Sequence, residues 1–253
     1  MVTSLHKDGE TNEPPNNYRP ISVIPVVIKI FERAVHQQVY QYLSTNHLLS
    51  PHQSGFRPGH STTTCLLEVS DYILKNMDQG CTTGAVFLDL SKAFDLINHT
   101  TLLAKLSSIG IRNNELNWFT DYLANRTQTV KINGCKSDPM NIKTGVPQGS
   151  VLGPLLFIIC INDLPEHVPK SKVVLYADDT ALFFANKESN TIQSVMQNDL
   201  THLSNWFTTN GLVVNGKKSN VMLFGTSQRL AKVEVPSLKI SESSLKPQKS
   251  IGD

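Results

Sequence analysis

At 253 residues the chain can form one large domain or two small ones, and a composition that is 40% hydrophobic and 17% charged excludes a disordered polymer. The net charge of +2 excludes a uniformly basic protein: residues 1–216 carry 16 basic and 18 acidic side chains, residues 217–253 carry 7 and 3, so any footprint for a polyanion is local and late. Cys65, Cys81, Cys135 and Cys160 are too scattered for a zinc pattern and come with no secretory signal, so free buried thiols in an intracellular protein are expected, with no targeting segment to narrow the compartment. The longest apolar run, residues 151–161, is too short to span a bilayer, which leaves no membrane role.

Residues 1–17 are rich in Pro, Asn and Glu and read as an irregular lead-in. Residues 25–43 place Val27, Ile30, Phe31, Ala34 and Tyr42 at helical spacing, which predicts a helix packing that face on the core. Residues 53–62, from Gln53 through Gly55, Arg57 and Gly59, read as a loop that leads into a helix capped by Ser61 or Thr62. A lone loop arginine such as Arg57 is more often a surface residue, yet a guanidinium in a Gly-rich loop is also what phosphate recognition requires.

Residues 85–90 read as a buried strand that delivers Asp89 at its end, before a helical turn through residues 91–95. Residues 101–109 and 115–123 read as short amphipathic helices, the first closed by Gly110, with Trp118, Phe119 and Tyr122 expected in the core. Residues 127–133 alternate in the strand manner, and Gly134 begins a turn toward residues 140–143. Residues 145–154 form a second Gly-rich element, and Pro154 suits the first turn of the apolar helix that follows. Ser150 directly follows Gly149, so this is no hydrolase nucleophile elbow.

Residues 173–184 are two apolar runs separated by Asp178-Asp179, the pattern of a tight hairpin with carboxylates at its tip. An Asp-Asp pair alone is more often a solvated turn. Here the flanks are apolar enough to be buried on both faces, so the turn is expected to be held rigidly, and two adjacent acids held rigidly call for a cation or donors. A hard divalent ion takes oxygen ligands from more than one element, and Asp89 is the best second source. Residues 192–207 mark a long amphipathic helix that Gly211 terminates, and two or three short strands are expected over residues 220–240. Gly211 to Lys217 matches a phosphate-binding loop, but Lys218 stands where Ser or Thr must hold Mg²⁺, which disfavours an NTPase.

Asn17-Tyr18-Arg19-Pro20-Ile21-Ser22, residues 53–62, the stretch 87–95 around Asp89, residues 145–155, Tyr176-Ala177-Asp178-Asp179 and Asn215-x-x-Lys218-Ser219, in that order, resemble the reverse transcriptase domain of non-LTR retrotransposons, in its jockey-like or CR1-like part. The resemblance covers nearly the whole chain. It implies an α+β right-hand polymerase of fingers and palm, the palm an antiparallel sheet backed by helices. Fingers would occupy residues 1–84 and palm residues 85–253, with inserted fingers elements near 112–145; the thumb and endonuclease of the family are expected to be missing.

The implied activity is RNA-directed DNA polymerisation, adding dNTPs to a DNA primer 3′-hydroxyl on an RNA template. Two Mg²⁺ ions, or Mn²⁺ in their place, would be held by Asp89 and Asp178 with Asp179 as the third carboxylate. By the same resemblance Phe94 would lie beneath the incoming sugar and exclude a 2′-hydroxyl, although by residue type alone it would be a core phenylalanine. Gln148 and Gly149 would touch the nascent base pair and template, Arg57 the triphosphate and Tyr176 the primer terminus. Lys218 would protonate pyrophosphate, against the plain alternative of a solvated lysine. The competing expectation is a catalytically inactive retrotransposon remnant that binds RNA or nothing.

Overall fold

The structure, a computed structural model, describes residues 2–6, 18–124, 126–132, 135–241 and 243–248. In chain order its elements are β1 (Val2–His6), β2 (Tyr18–Ser22), α1 (Val26–Thr45), α2 (Thr62–Asp78), β3 (Thr82–Leu88), α3 (His99–Ser108), α4 (Asn113–Leu123), β4 (Thr127–Gln128), β5 (Val130–Ile132), β6 (Cys135–Lys136) and β7 (Met140–Asn141). Then follow α5 (Gly153–Cys160), a 3-10 turn (Leu164–His167), β8 (Lys172–Tyr176), β9 (Asp179–Asn186), α6 (Ser189–Thr209), β10 (Asn220–Phe224), α7 (Ser227–Leu230), β11 (Lys239–Ile240), β12 (Ser243–Ser244) and β13 (Lys246–Pro247). The contacts divide the chain into two compact units, one of residues 1–49 with 94–160, the other of residues 50–93 with 161–253. These cuts follow compactness, whereas the expected boundary between residues 84 and 85 is a functional one.

The second unit is built on a five-stranded sheet in the order β13-β10-β3-β9-β8, antiparallel except for the β10–β13 pair. β3 is the central strand, and Ala85, Val86 and Leu88 are almost fully buried because helices cover both faces. On one face Ala85, Val174 and Phe183 pack against Cys65, Val69, Tyr72 and Ile73 of α2. On the other face Gly84 admits α6 so closely that a β-carbon there would lie 2.6 Å from Ile192 Cγ2 and 2.7 Å from Met196 Sδ. Ser61 caps α2 in a reciprocal box with Thr64, and α6 ends at Asn210 before Gly211 at φ +70°, both termini where the sequence predicts them.

The first unit carries a four-stranded sheet, β2-β1-β5-β6, and the short β4–β7 ladder. Residues 2–6 therefore form a strand instead of an irregular lead-in: β1 pairs antiparallel with β2 and parallel with β5, partners too distant in sequence for a local pattern to announce. The rest of that lead-in, 7–17, lies outside the described residues. Helix α1 is present, but its predicted core face is exposed, with Val27 at 63% and Phe31 at 67% exposure. Its buried residues are Glu32 and Leu43. Periodicity locates an apolar face without saying what covers it, and the Glu32 carboxylate is inside because two hydrogen-bond donors meet it there.

Smaller differences have similar causes. Phe119 is core as expected, while Trp118 is 38% exposed and stacks on Tyr122 with centroids 5.3 Å apart. The cysteines are free, but Cys65 and Cys81 are half-buried and Cys135 is exposed, leaving Cys160 as the buried thiol. No helix among the described residues is long and apolar enough to cross a membrane.

Candidate active site

Strand pairing assembles the acidic residues. β8 and β9 are joined by the two-residue turn Ala177–Asp178, since Tyr176 already pairs with Asp179. β9 also pairs antiparallel with β3, and the last pair is Leu88 with Thr180. One further step along each strand sets Asp89 beside Asp179, with Asp178 next to it in the turn. Partial burial raises the Asp179 carboxyl above the ordinary carboxylate range, and the charges of Asp178 and Asp89 raise it further. The residue as a whole is exposed, so its carboxyl is shielded on one side and open on the other.

Both ends of this arrangement are held by backbone contacts from elsewhere in the same unit. Asn215 N–H donates to Asp89 O at 2.7 Å, Asp89 N–H donates to Ser219 Oγ at 3.2 Å, and Ser219 Oγ–H donates to Asn215 O at 2.9 Å. Lys218 sits exposed on that same turn, its N–H bonded to Asn215 O. The Gly-x₄-Gly-Lys match is thus a bend locked to the strand end that carries Asp89.

At the other end Ala177 adopts φ +55°, in the left-handed region that non-glycine residues rarely occupy. Gln53, 1% exposed, engages it on both sides: Ala177 N–H donates to Gln53 Oε1 at 3.0 Å, and Gln53 Nε2 donates to Ala177 O at 3.2 Å. Gly55 lies against the same turn, where a β-carbon would fall 2.0 Å from Ala177 N. Arg57 is turned to its own loop, with Nη1 donating to Ser50 O at 2.7 Å and to Gln53 O at 3.0 Å. Sequence reasoning placed Gln53, Gly55, Asn215 and Ser219 inside motifs and gave them no role; nothing local marks a contact made more than a hundred positions away.

The remaining predicted residues belong to the first unit. Phe94 is half-buried and stacks on Phe157, with centroids 4.7 Å apart. Gln148 Nε2 donates to Asp95 Oδ1 at 3.0 Å, and Gln148 O accepts Ser22 N–H at 2.8 Å. Gly149 takes φ +99°, and Gly145 takes φ +85° where a β-carbon would meet the Asp95 backbone at 2.7 Å. Glu32 fastens the far end of the loop by accepting Val151 N–H at 2.7 Å. Asp89, Asp178, Asp179, Lys218, Tyr176 and Arg57 are thus carried by one unit, and Phe94, Gln148 and Gly149 by the other.

Comparison with known proteins decides the family. The pattern of the reverse transcriptase (RNA-dependent DNA polymerase) family matches residues 5–249. The chain belongs to the reverse transcriptase family. It is 33% identical over 248 residues to a probable RNA-directed DNA polymerase from transposon BS of Drosophila melanogaster, covering 93% of this chain and 26% of that protein. It is 32% identical over 224 residues to the RNA-directed DNA polymerase from mobile element jockey of the same organism, covering 86% and 24%. This reverse transcriptase domain therefore spans about a quarter of the length of these curated relatives. In fold it is similar to a solved apo telomerase of Candida tropicalis, with a TM-score of 0.56 at 16% identity over 82% of this chain and 48% of that one.

Reverse transcriptases use divalent metal ions, and the chemistry of Asp89, Asp178 and Asp179 suits one: carboxylates offer hard oxygen donors, and Asp179 is raised above its ordinary range by burial and then by the charges of Asp178 and Asp89. Among the described residues no group of three His, Cys, Asp or Glu side chains stands close enough to hold an ion by itself.

Proposed function

We propose that this domain is the catalytic part of an RNA-directed DNA polymerase of a non-LTR retrotransposon, extending a DNA primer on an RNA template with dNTPs. The observation that carries the reading is the β3–β9 pairing, which brings Asp89 to the acidic turn although residues 94–160, of the first unit, lie between them in sequence. Divalent ions, Mg²⁺ or Mn²⁺, would supply activation of the primer hydroxyl and charge neutralisation of the triphosphate.

Asp89 and Asp178 would hold the ions, with Asp179 as the third carboxylate. Lys218, on the turn bonded to Asp89, would donate a proton to the leaving pyrophosphate. Phe94 would select against the 2′-hydroxyl, Gln148 and Gly149 would border the nascent pair, Tyr176 the primer end and Arg57 the triphosphate. In this division residues 1–84 act as fingers and residues 85–253 as palm with inserted fingers elements.

Primer extension on poly(rA)/oligo(dT) with dTTP and Mg²⁺ tests the proposal. Incorporation by the wild type and its loss in Asp178→Ala are expected; equal incorporation by the two proteins would end the reading.

A further inference from the structure

The acidic turn cannot hold its own shape. A two-residue link whose first position is an alanine at φ +55° lacks the glycine that such turns favour, so its conformation must be imposed by neighbours. The neighbour is Gln53. Its carboxamide satisfies both backbone polar groups of Ala177, and the same Oε1 also accepts Gly55 N–H at 2.7 Å. At 1% exposure these bonds have no competing solvent.

The loop that presents Gln53 is itself fixed to the hairpin. Leu175 N–H donates to His52 O and Ser54 N–H donates to Leu175 O, both at 2.9 Å, which makes a parallel bridge between Gln53 and Leu175. The Arg57 guanidinium closes the loop from within through the carbonyls of Ser50 and Gln53. Gly55 leaves no slack, because any side chain there would overlap the Ala177 backbone. Asp178 follows Ala177 directly, so rotation of the Ala177 peptide swings the carboxylate.

We infer that Gln53 is a positioning residue for the catalytic turn: its buried amide fixes the Ala177 peptide and thereby aims the Asp178 carboxylate at the divalent ion. No other residue type replaces it. Glutamate keeps the acceptor and lacks the donor for Ala177 O, asparagine falls one methylene short, and methionine fills the volume without any hydrogen bond. The inference rests on the polymerase reading for its kinetic consequence but not for its effect on cation binding.

The test uses the full chain and three readouts: thermal melting, Mn²⁺ binding by titration in the absence of nucleic acid, and steady-state primer extension. Gln53→Met should weaken Mn²⁺ binding about tenfold, the scale of losses when a group behind a metal ligand is removed. It should lower kcat on the order of 10²-fold with KM for template-primer unchanged, since a displacement of about 1 Å has that effect on a reacting centre. Ile192→Ala, which truncates a fully buried side chain of α6 packed against Gly84, five residues along β3 from Asp89, serves as the stability control. It should lower the melting temperature while keeping wild-type Mn²⁺ affinity and kcat. Wild-type affinity and kcat in folded Gln53→Met would overturn the inference whatever its melting temperature. Should Gln53→Met fail to fold, Gln53→Glu carries the same comparison, with an intermediate loss expected and wild-type values overturning the claim. Asp178→Ala, run alongside, separates the two ideas: extension that survives it sinks the polymerase reading, while Mn²⁺ affinity still decides Gln53.

Discussion

Glu32 Oε2 accepts the backbone N–H of Val151 at 2.7 Å, so a carboxylate on α1 anchors the Gly-rich loop 145–154 from a site where it is 1% exposed. Its other oxygen accepts the Tyr122 hydroxyl at 2.7 Å. Glu32→Ala would leave both half-buried donors without their acceptor, at a cost of about 2 kcal/mol. Denaturant unfolding should show a lower midpoint with an unchanged slope. An unchanged midpoint would mean that water replaces the carboxylate freely.

The same network sets an alkaline dependence. Burial, and then the hydrogen bond and charge of Glu32, push the Tyr122 hydroxyl up to about 12, against an ordinary value of 10.0. Below pH 10 both folded and unfolded chains keep the proton. Between pH 10 and 12 the unfolded chain releases it first, so the folded state loses about 3 kcal/mol across that window. Tyr122→Phe carries no such proton. The stability difference between wild type and Tyr122→Phe, measured by urea unfolding at pH 9 and pH 12, should shift by that amount in favour of the variant.

Asp179 acts in the same sense, but in the acid range. Its carboxyl is raised by burial and by Asp178 and Asp89, so the folded state gives up the proton less readily than the unfolded chain and loses stability as pH rises from 3.8 through the folded value. At neutral pH, without divalent ions, Asp179→Asn should melt at a higher temperature than wild type. The gain should vanish below pH 3.8, where both proteins are uncharged at this position. A lower melting temperature at pH 7 in EDTA would contradict the crowding of negative charge described above.

Gly84 tests the contact between sheet and helix. A β-carbon at this position would meet Ile192 Cγ2 and Met196 Sδ at 2.6 and 2.7 Å, distances that force α6 outward. Gly84→Ala should cost about 1–3 kcal/mol, the usual range for an overfilled core. A neutral or stabilising result would show that α6 shifts without penalty.

Phe94 has a packing role on view in its stack with Phe157. Phe94→Ala should therefore destabilise, and if the ring also excludes the 2′-hydroxyl the variant should incorporate ribonucleotides that the wild type rejects. Comparing dTTP with UTP on the same template-primer separates these effects. Destabilisation without ribonucleotide incorporation leaves Phe94 as packing alone.

The sequence makes legible what repeats locally. The β8–β9 hairpin, β3, the Ser61 cap and the stop at Gly211 follow from periodicity and end signals, and Asp89 with Asp178 and Asp179 stands out because acids at the ends of apolar runs need a reason. Contacts made across the chain leave no such trace. Gln53 reaches Ala177 over 124 positions, β1 finds β5 across most of the first unit, and Glu32 lies off the apolar positions of its helix and is buried only because Tyr122 and Val151 meet it. In each of these cases the deciding partner is a backbone group or a lone hydroxyl, which carries no compositional signature.

β8 is the outermost strand of its sheet, and its Leu175 amide and carbonyl are already taken by His52 and Ser54. An outer strand with open hydrogen-bonding groups is a template for unwanted pairing between molecules. The loop that shapes the acidic turn therefore also blunts the sheet margin, and loosening it would compromise solubility together with the geometry of that turn.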